Sequence, residues 1–263
     1  MKKVILKTLP IFAIFCLSFT SNAQFFKKLK KKIEDKTNDA IEQQIDGNPT
    51  NKASNKLKLG EEFDFKAGDS IIYASNFLAD KTGAMPHDWK TNGSGSIVTA
   101  NGISGKWLKM EAYTSYKLKQ NLHYPKNFTV EFDLIAVADQ VKDLSGLYFG
   151  FCKDNSVRDW ISTDNIWNTE LLYMNNHEIV VSSSATDKYL STDFDLEPYA
   201  NQVMHVSIEV HQNHVKVYLG NTKIADTDLF RDEIAQHFFV SAPLNEDHGA
   251  SVLFSNFVIK TYK

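Results

Sequence analysis

Residues 128–137 read FTVEFDLIAV, and their side chains alternate. Phe128, Val130, Phe132 and Leu134 fall on one side, and Thr129, Glu131 and Asp133 on the other. A period of two is the geometry of a half-buried β-strand and is incompatible with a helix, whose apolar stripe repeats every three to four residues. The same period returns at 204–226. There Met204, Val206, Ile208 and Val210 alternate, a turn follows at Gln212-Asn213, and Val215, Val217 and Leu219 resume the pattern. A second turn at Gly220-Asn221 leads to Ile224. Two-residue turns between alternating runs are hairpin signatures.

Further short runs flank these. SIIYASNF (70–77), GSIVTANG and KWLKMEAY are separated by glycine-bearing turns, and HFFVSA and SVLFSNFVIKTY close the sequence. GLYFGFC (146–152) is apolar throughout, the pattern of a strand covered on both faces. Ten or more strands with no intervening helical run predict an all-β, antiparallel two-sheet jelly-roll sandwich over 61–263. The helical spacing in this region is confined to LFRDEIAQ (229–236).

The first sixty residues differ. Lys2, Lys3 and Lys7 precede an apolar stretch, Ile11 to Phe19, and Ser21-Asn22-Ala23 supplies small residues for cleavage, so residues 1–23 read as a signal peptide with Gln24 as the mature start. The competing reading is a membrane anchor, with FFKKLKKK as a stop-transfer flank. Cys16 is no lipidation site, because Ile14 and Phe15 are bulky where small residues are needed. In residues 24–60 apolar Phe26, Leu29, Ile33, Ala40, Ile41 and Ile45 repeat at helical spacing until Gly47-Asn48-Pro49, which predicts a charged N-terminal helical stem and linker. It is read as a solvated or coiled-coil stem, or as a membrane-surface contact through its basic, Phe-rich start.

Charge separates the two parts. Residues 24–60 carry nine lysines and five acids, whereas 61–263 carry 17 basic and 27 acidic residues, a net −10. A domain this acidic excludes nucleic acid as the expected partner. With the leader removed, Cys152 is the single cysteine; no internal disulfide can form, and its apolar context predicts a buried core thiol.

On Val206, Ile208, Val210, Val217, Tyr218, Gly220 and Ile224 the sequence resembles the concanavalin A-like lectin/glucanase superfamily, including laminin-G-like domains, and SVLFSNFVIK looks like that family's closing strand. The opening from FDFKAGDSIIYASNF to NFTVEFDLI is similar to a jelly-roll segment of Gram-negative envelope proteins. Several of those carry an outer-membrane-protein-A-like peptidoglycan-binding domain further on. No such domain is recognised before Lys263, so direct cell-wall anchoring is not among the expectations. The resemblance implies a fold that hosts lectins, hydrolases and inert spacers alike.

Candidate chemistry is sparse. Glu131 and Asp133 share a strand face, as the acids of laminarinase-type glycosidases of this fold do in an E-x-D-x-x-E pattern, but position 136 is alanine. The simpler reading makes them the solvent side of the strand. Asp154, Asp159 and Asp164 match no compact calcium loop, and His211 and His214 bracket a turn, so no metal or cofactor is expected. The segment 153–170 mixes Trp160 and Trp167 with Arg158, Asp159 and Asn165. Sugars are held by flat apolar faces together with planar polar groups, and these five residues are the candidate ligand-binding set. Folding of the tryptophans over a sandwich end is the alternative.

The expected function is a non-catalytic, exported, envelope-associated binding or adhesion module for glycan or another surface polymer. The alternatives are a structural or protein-partner-binding envelope protein acting through 24–60, and a glycoside hydrolase of the same fold.

Overall fold

A computed structural model describes residues 63–161, 165–175, 177–231 and 237–263. The leader, the stem and most of the helical run at 229–236 lie outside the described residues. The strands are β1 (Ser70–Ser75), β2 (Trp89–Thr91), β3 (Gly95–Ala100), β4 (Ile103–Met110), β5 (Ser115–Leu118), β6 (Asn127–Val137), β7 (Gly146–Cys152) and β8 (Asn165–Leu172). They continue as β9 (Glu178–Ser183), β10 (Lys188–Asp193), β11 (Met204–His211), β12 (His214–Leu219), β13 (Thr222–Asp228), β14 (His237–Ser241) and β15 (Ser251–Thr261). The only helical elements among the described residues are three-residue 3₁₀ turns.

These strands form two antiparallel sheets. The eight-stranded sheet runs β13-β12-β11-β6-β15-β4-β3, with β1 also on β15, and the seven-stranded sheet runs β10-β9-β8-β7-β14-β5-β2. Sequence-distant partners, such as β6 between β11 and β15, are the crossovers of a jelly roll. In β15 a bulge between Ser255 and Val258 divides the strand; β4 pairs before it and β1 after it.

The alternation read from the sequence sets the register. Phe128, Val130, Phe132 and Leu134 of β6 point inward beside Val206, Ile208 and Val210 of β11 and meet Leu147, Phe149, Phe151 and Phe238 of the opposite sheet. Phe132 stands edge-on to Phe149 at 5.2 Å and to Phe238 at 5.5 Å. Tilted and edge-on rings fill such a core without facing quadrupoles. The expected turn at Gln212-Asn213 is present, with Gln212 at φ 57°.

Residues 63–69 then cross the outer face of the eight-stranded sheet. Phe63 and Phe65 cover Tyr218, whose hydroxyl donates to Asp64 at 2.8 Å. A Cβ at Gly68 would sit 2.9 Å from the Thr261 carbonyl oxygen, so only glycine allows this close approach.

Candidate functional site

The segment 153–161, between β7 and β8, lies over the outer face of the seven-stranded sheet as a strap. The Lys117 ammonium donates to the Asp154 carbonyl at 2.7 Å, and Asn155 Nδ2 donates to the Leu118 carbonyl at 3.2 Å. At the far end the Trp160 indole donates to the Ala242 carbonyl at 2.8 Å, while Ser241 Oγ donates to the Trp160 carbonyl at 2.6 Å. These bonds satisfy polar groups that the strap would otherwise bury unpaired. The strap also meets β7 from outside at Tyr148 and Cys152, while Gly146 and Gly150 lie close against β8. Cys152 is buried as expected. It lies on this outer side rather than between the sheets, with its thiol 3.2 Å from the Asp154 carbonyl.

The five sequence candidates separate here. Arg158 and Asp159 are exposed on the strap, and Trp160 is half-buried at its end. Asn165 and Trp167 belong to β8 rather than to a loop. Trp167 has no exposed surface; it packs on Phe151 and Phe230 inside the core and presents no face to a ligand, a correction to the expected two-tryptophan rim. A register shift opposite Phe151 and Cys152 causes this, since it turns Ile166 and Trp167 both inward.

Trp160 gathers two partners that the sequence reading missed. Tyr113, 58% exposed, lies 5.5 Å from it at 36°, and Tyr148 meets it edge-on at 5.4 Å. Tyr113 holds a left-handed φ of 61°, unusual for an aromatic residue, and its amide donates to the Pro243 carbonyl at 2.8 Å. The Tyr148 hydroxyl in turn donates to Glu170 in a short bond. Burial raises the Glu170 carboxyl above its ordinary 4.5, against the lowering effect of the tyrosine bond. Gly146 makes room for this carboxylate, since a Cβ there would lie 2.7 Å from Glu170 Oε1. Further along the same face Asn165 Nδ2 and Ser182 Oγ donate to Asn168 Oδ1 at 2.5 and 3.1 Å, and Asn165 Oδ1 is buried without a partner among the described residues. The result is an aromatic run, Tyr113–Trp160–Tyr148, that ends on a carboxyl and is followed by amides and a hydroxyl. Beside Tyr113 an open cleft is walled by Asn92, Ser94, Glu111 and Thr114.

The other acids are differently placed. Glu131 and Asp133 lie on the outer face of the eight-stranded sheet. His205 bonds Asp133 at 2.6 Å and approaches Glu131 at 3.5 Å, Lys260 donates to Glu131 at 2.8 Å, and Asn256 donates to Asp133 at 2.7 Å. The His205 bond, helped by Lys260, holds Glu131 below its usual range, which suits an ion pair and not a general acid. A cleft of about 320 Å³ at the β1–β15 edge includes Asp80, His87 and Asp88, but Asp80 is already taken by the His87 amide and ring at 3.0 and 2.6 Å. No group of three or more His, Cys, Asp or Glu among the described residues is arranged to hold a metal ion.

No family model and no curated protein sequence matches the chain. Solved structures do share its fold. The carbohydrate recognition domain of Emp47p is 15% identical with a TM-score of 0.52, covering 72% of this chain and 95% of that one. The metal-free exoplasmic/lumenal domain of VIP36 is 13% identical with a TM-score of 0.51, covering 72% and 90%. Arcelin-5, a lectin-like defense protein from Phaseolus vulgaris, is 15% identical with a TM-score of 0.50, covering 71% and 96%. The chain therefore has a lectin-like jelly-roll sandwich fold, in line with the concanavalin A-like resemblance. The likeness to outer-membrane-protein-A-like envelope proteins is not shown by these structures.

Proposed function

We propose that this protein is a non-catalytic glycan-binding module that takes its ligand on the outer face of the seven-stranded sheet. The observation that carries the reading is the Tyr113–Trp160–Tyr148 run ending on Glu170. Exposed aromatic faces stack on the C–H side of a sugar, and the carboxyl, Asn165 and Ser182 offer acceptors and donors to its hydroxyls. Arg158 and Asp159 on the strap supply charged groups at the edge. That a neighbour of the same fold is a carbohydrate recognition domain agrees with this reading.

The chain is further proposed to be exported and envelope-associated, acting in binding or adhesion. Support comes from the leader-like residues 1–23 and the basic 24–60 stem, and from the exoplasmic/lumenal placement of VIP36. Among the described residues no helix is long and apolar enough to cross a membrane.

A glycan array probed with the full chain is the test. A hit should lose about tenfold in affinity (about 1.4 kcal/mol) in Tyr113→Ala and Trp160→Ala, while Glu131→Gln leaves it unchanged. Absence of any hit, with partner proteins co-purifying through residues 24–60, would favour the structural reading instead. Sugar release lost in Glu131→Gln would restore the hydrolase.

A further inference from the structure

At the β2–β5 end of the candidate face two lysines stand directly opposite each other. Lys90 pairs in register with Lys117, both side chains facing outward from the seven-stranded sheet. Like charges directly across a strand pair repel, and burial strengthens the repulsion. Lys117 is only 1% exposed, yet its ammonium is bonded to a neutral carbonyl, that of Asp154. Among the described residues neither lysine forms an ion pair with a carboxylate. His237, one strand further on β14, is kept neutral, since burial and the two lysines push its imidazole below its ordinary 6.5, and Arg158 stands exposed on the strap. Among the described residues the acid whose charge acts on Lys90 and His237 is Asp154. Its carboxylate is depressed mainly by bonds from Ser156 and only secondarily by Lys117 and Arg158. This concentration of positive charge lies in a region whose net charge is −10, so the overall composition does not account for it.

We propose that Lys90, Lys117 and Arg158 form a subsite for an anionic group, and that the ligand class is acidic glycan, bearing carboxylate or sulfate; this rests on the glycan-binding reading above. Lys90, half-buried, and Arg158, exposed, are in reach of the anion. Lys117 supplies positive potential from beneath, where the dielectric is low. The subsite adjoins the aromatic run. Ser115 lies two residues before Lys117 on the same face, about 7 Å along the strand, and Ser241 bonds Ser115 and the Trp160 carbonyl at 3.1 and 2.6 Å. One saccharide chain can therefore stack on Trp160 and Tyr113 while a neighbouring residue places its anion at Lys90. Burial and Lys117 already push the Lys90 ammonium down, and an arriving anion would relieve that stress.

The experiment compares oligogalacturonate and sulfated oligosaccharides with neutral gluco- and manno-oligosaccharides, using the full chain at low and high salt. Acidic ligands are expected to bind about tenfold tighter, a preference of about 1.4 kcal/mol, and to lose that margin as salt screens it. Lys90→Gln should reduce the margin and leave neutral binding alone, Arg158→Gln should also reduce the margin, and Tyr113→Ala should weaken both classes. Arg158 is exposed, so its variant separates loss of the subsite from loss of the fold. Equal binding of neutral and acidic glycans, or a preference that survives both substitutions, overturns the subsite while the glycan-binding reading stands. No binding to any glycan overturns both.

Discussion

Glu131 and Glu170 each stand on the outer face of one sheet, and their surroundings pull them in opposite directions. Glu131 accepts from Lys260 and faces His205, which also bonds the neighbouring Asp133, so its charged form is favoured. Glu170 has a tyrosine hydroxyl and no cation within an ion pair, and burial favours its neutral form. The difference extends over both faces. On the eight-stranded sheet Lys216 and Lys223 reach Asp64, and His214 bonds Asp226 and Asp228 at 2.6 and 2.8 Å. On the seven-stranded sheet, among the described residues, the strand lysines and Glu170 pair with no opposite charge. One face has spent its charges on itself. The other keeps a lysine pair and a carboxyl without an opposite charge beside an aromatic run, a condition that suits a ligand.

The largest expected effect tests whether the aromatic run is surface or core. Trp167→Ala should cost about 3–5 kcal/mol, the range for large aromatics in cores, because its ring packs on Phe151 and Phe230 with no exposed surface. Trp160→Ala should cost no more than about 2 kcal/mol. Urea melts of the two variants separate them; equal losses would place Trp160 in the core too and remove the platform.

Next in size is Glu131→Gln, which leaves Lys260 without its carboxylate and removes the second charge facing His205, and should cost about 1.5 kcal/mol at neutral pH. Because its folded pKa is depressed below 4.5, this contribution is present above that pH and is lost as pH falls through the lower folded value. A melt at pH 7 that does not move would mean the outer face of the eight-stranded sheet is not held by its ion pairs.

His205 gives a smaller and oppositely signed slope. Its folded pKa is raised from 6.5 to about 9 by the Asp133 and Glu131 bonds. Its contribution is therefore complete below 6.5 and is lost as pH rises through about 9. The ring is nearly half-exposed, so solvent screening limits the effect to under about 1 kcal/mol. His205→Gln should flatten the stability profile between pH 6.5 and 9, and an unchanged slope would mean the pair contributes nothing measurable.

The two faces were unequally legible in the sequence. Strict alternation at Phe128–Leu134 and at Met204–Leu219 names the inward side of β6, β11 and β12, and so puts Glu131 and Asp133 outside. On the seven-stranded sheet local pattern misleads. Lys117 and Phe239 point outward yet are buried, because a strap distant in sequence lies over that face. The register shift that turns Trp167 inward depends on pairing with β7, which no local window contains. Tyr113 gave no signal either, as its exposure follows from a left-handed backbone at the β4–β5 connection. What was legible was composition: aromatics, amides and charge crowded into 153–170.

The smallest effect bears most directly on the contrast between the glutamates. Between 4.5 and its raised folded pKa, Glu170 binds more proton in the folded state than in the unfolded one, so stability declines as pH rises through that window. Glutamine removes the titration and keeps the acceptor, since its Oε1 can still take the Tyr148 hydroxyl hydrogen. Glu170→Gln should therefore leave acid stability unchanged and add a few tenths of a kcal/mol at neutral pH, within the ordinary range for surface substitutions. Paired urea melts at pH 4 and pH 7.5 make the measurement, with Glu131→Gln alongside as the variant of opposite sign. If Glu170→Gln lost stability at pH 7.5, the carboxylate would already have a stabilising partner. The seven-stranded face would then be as self-satisfied as the other, and the argument for a ligand there would lose its physical basis.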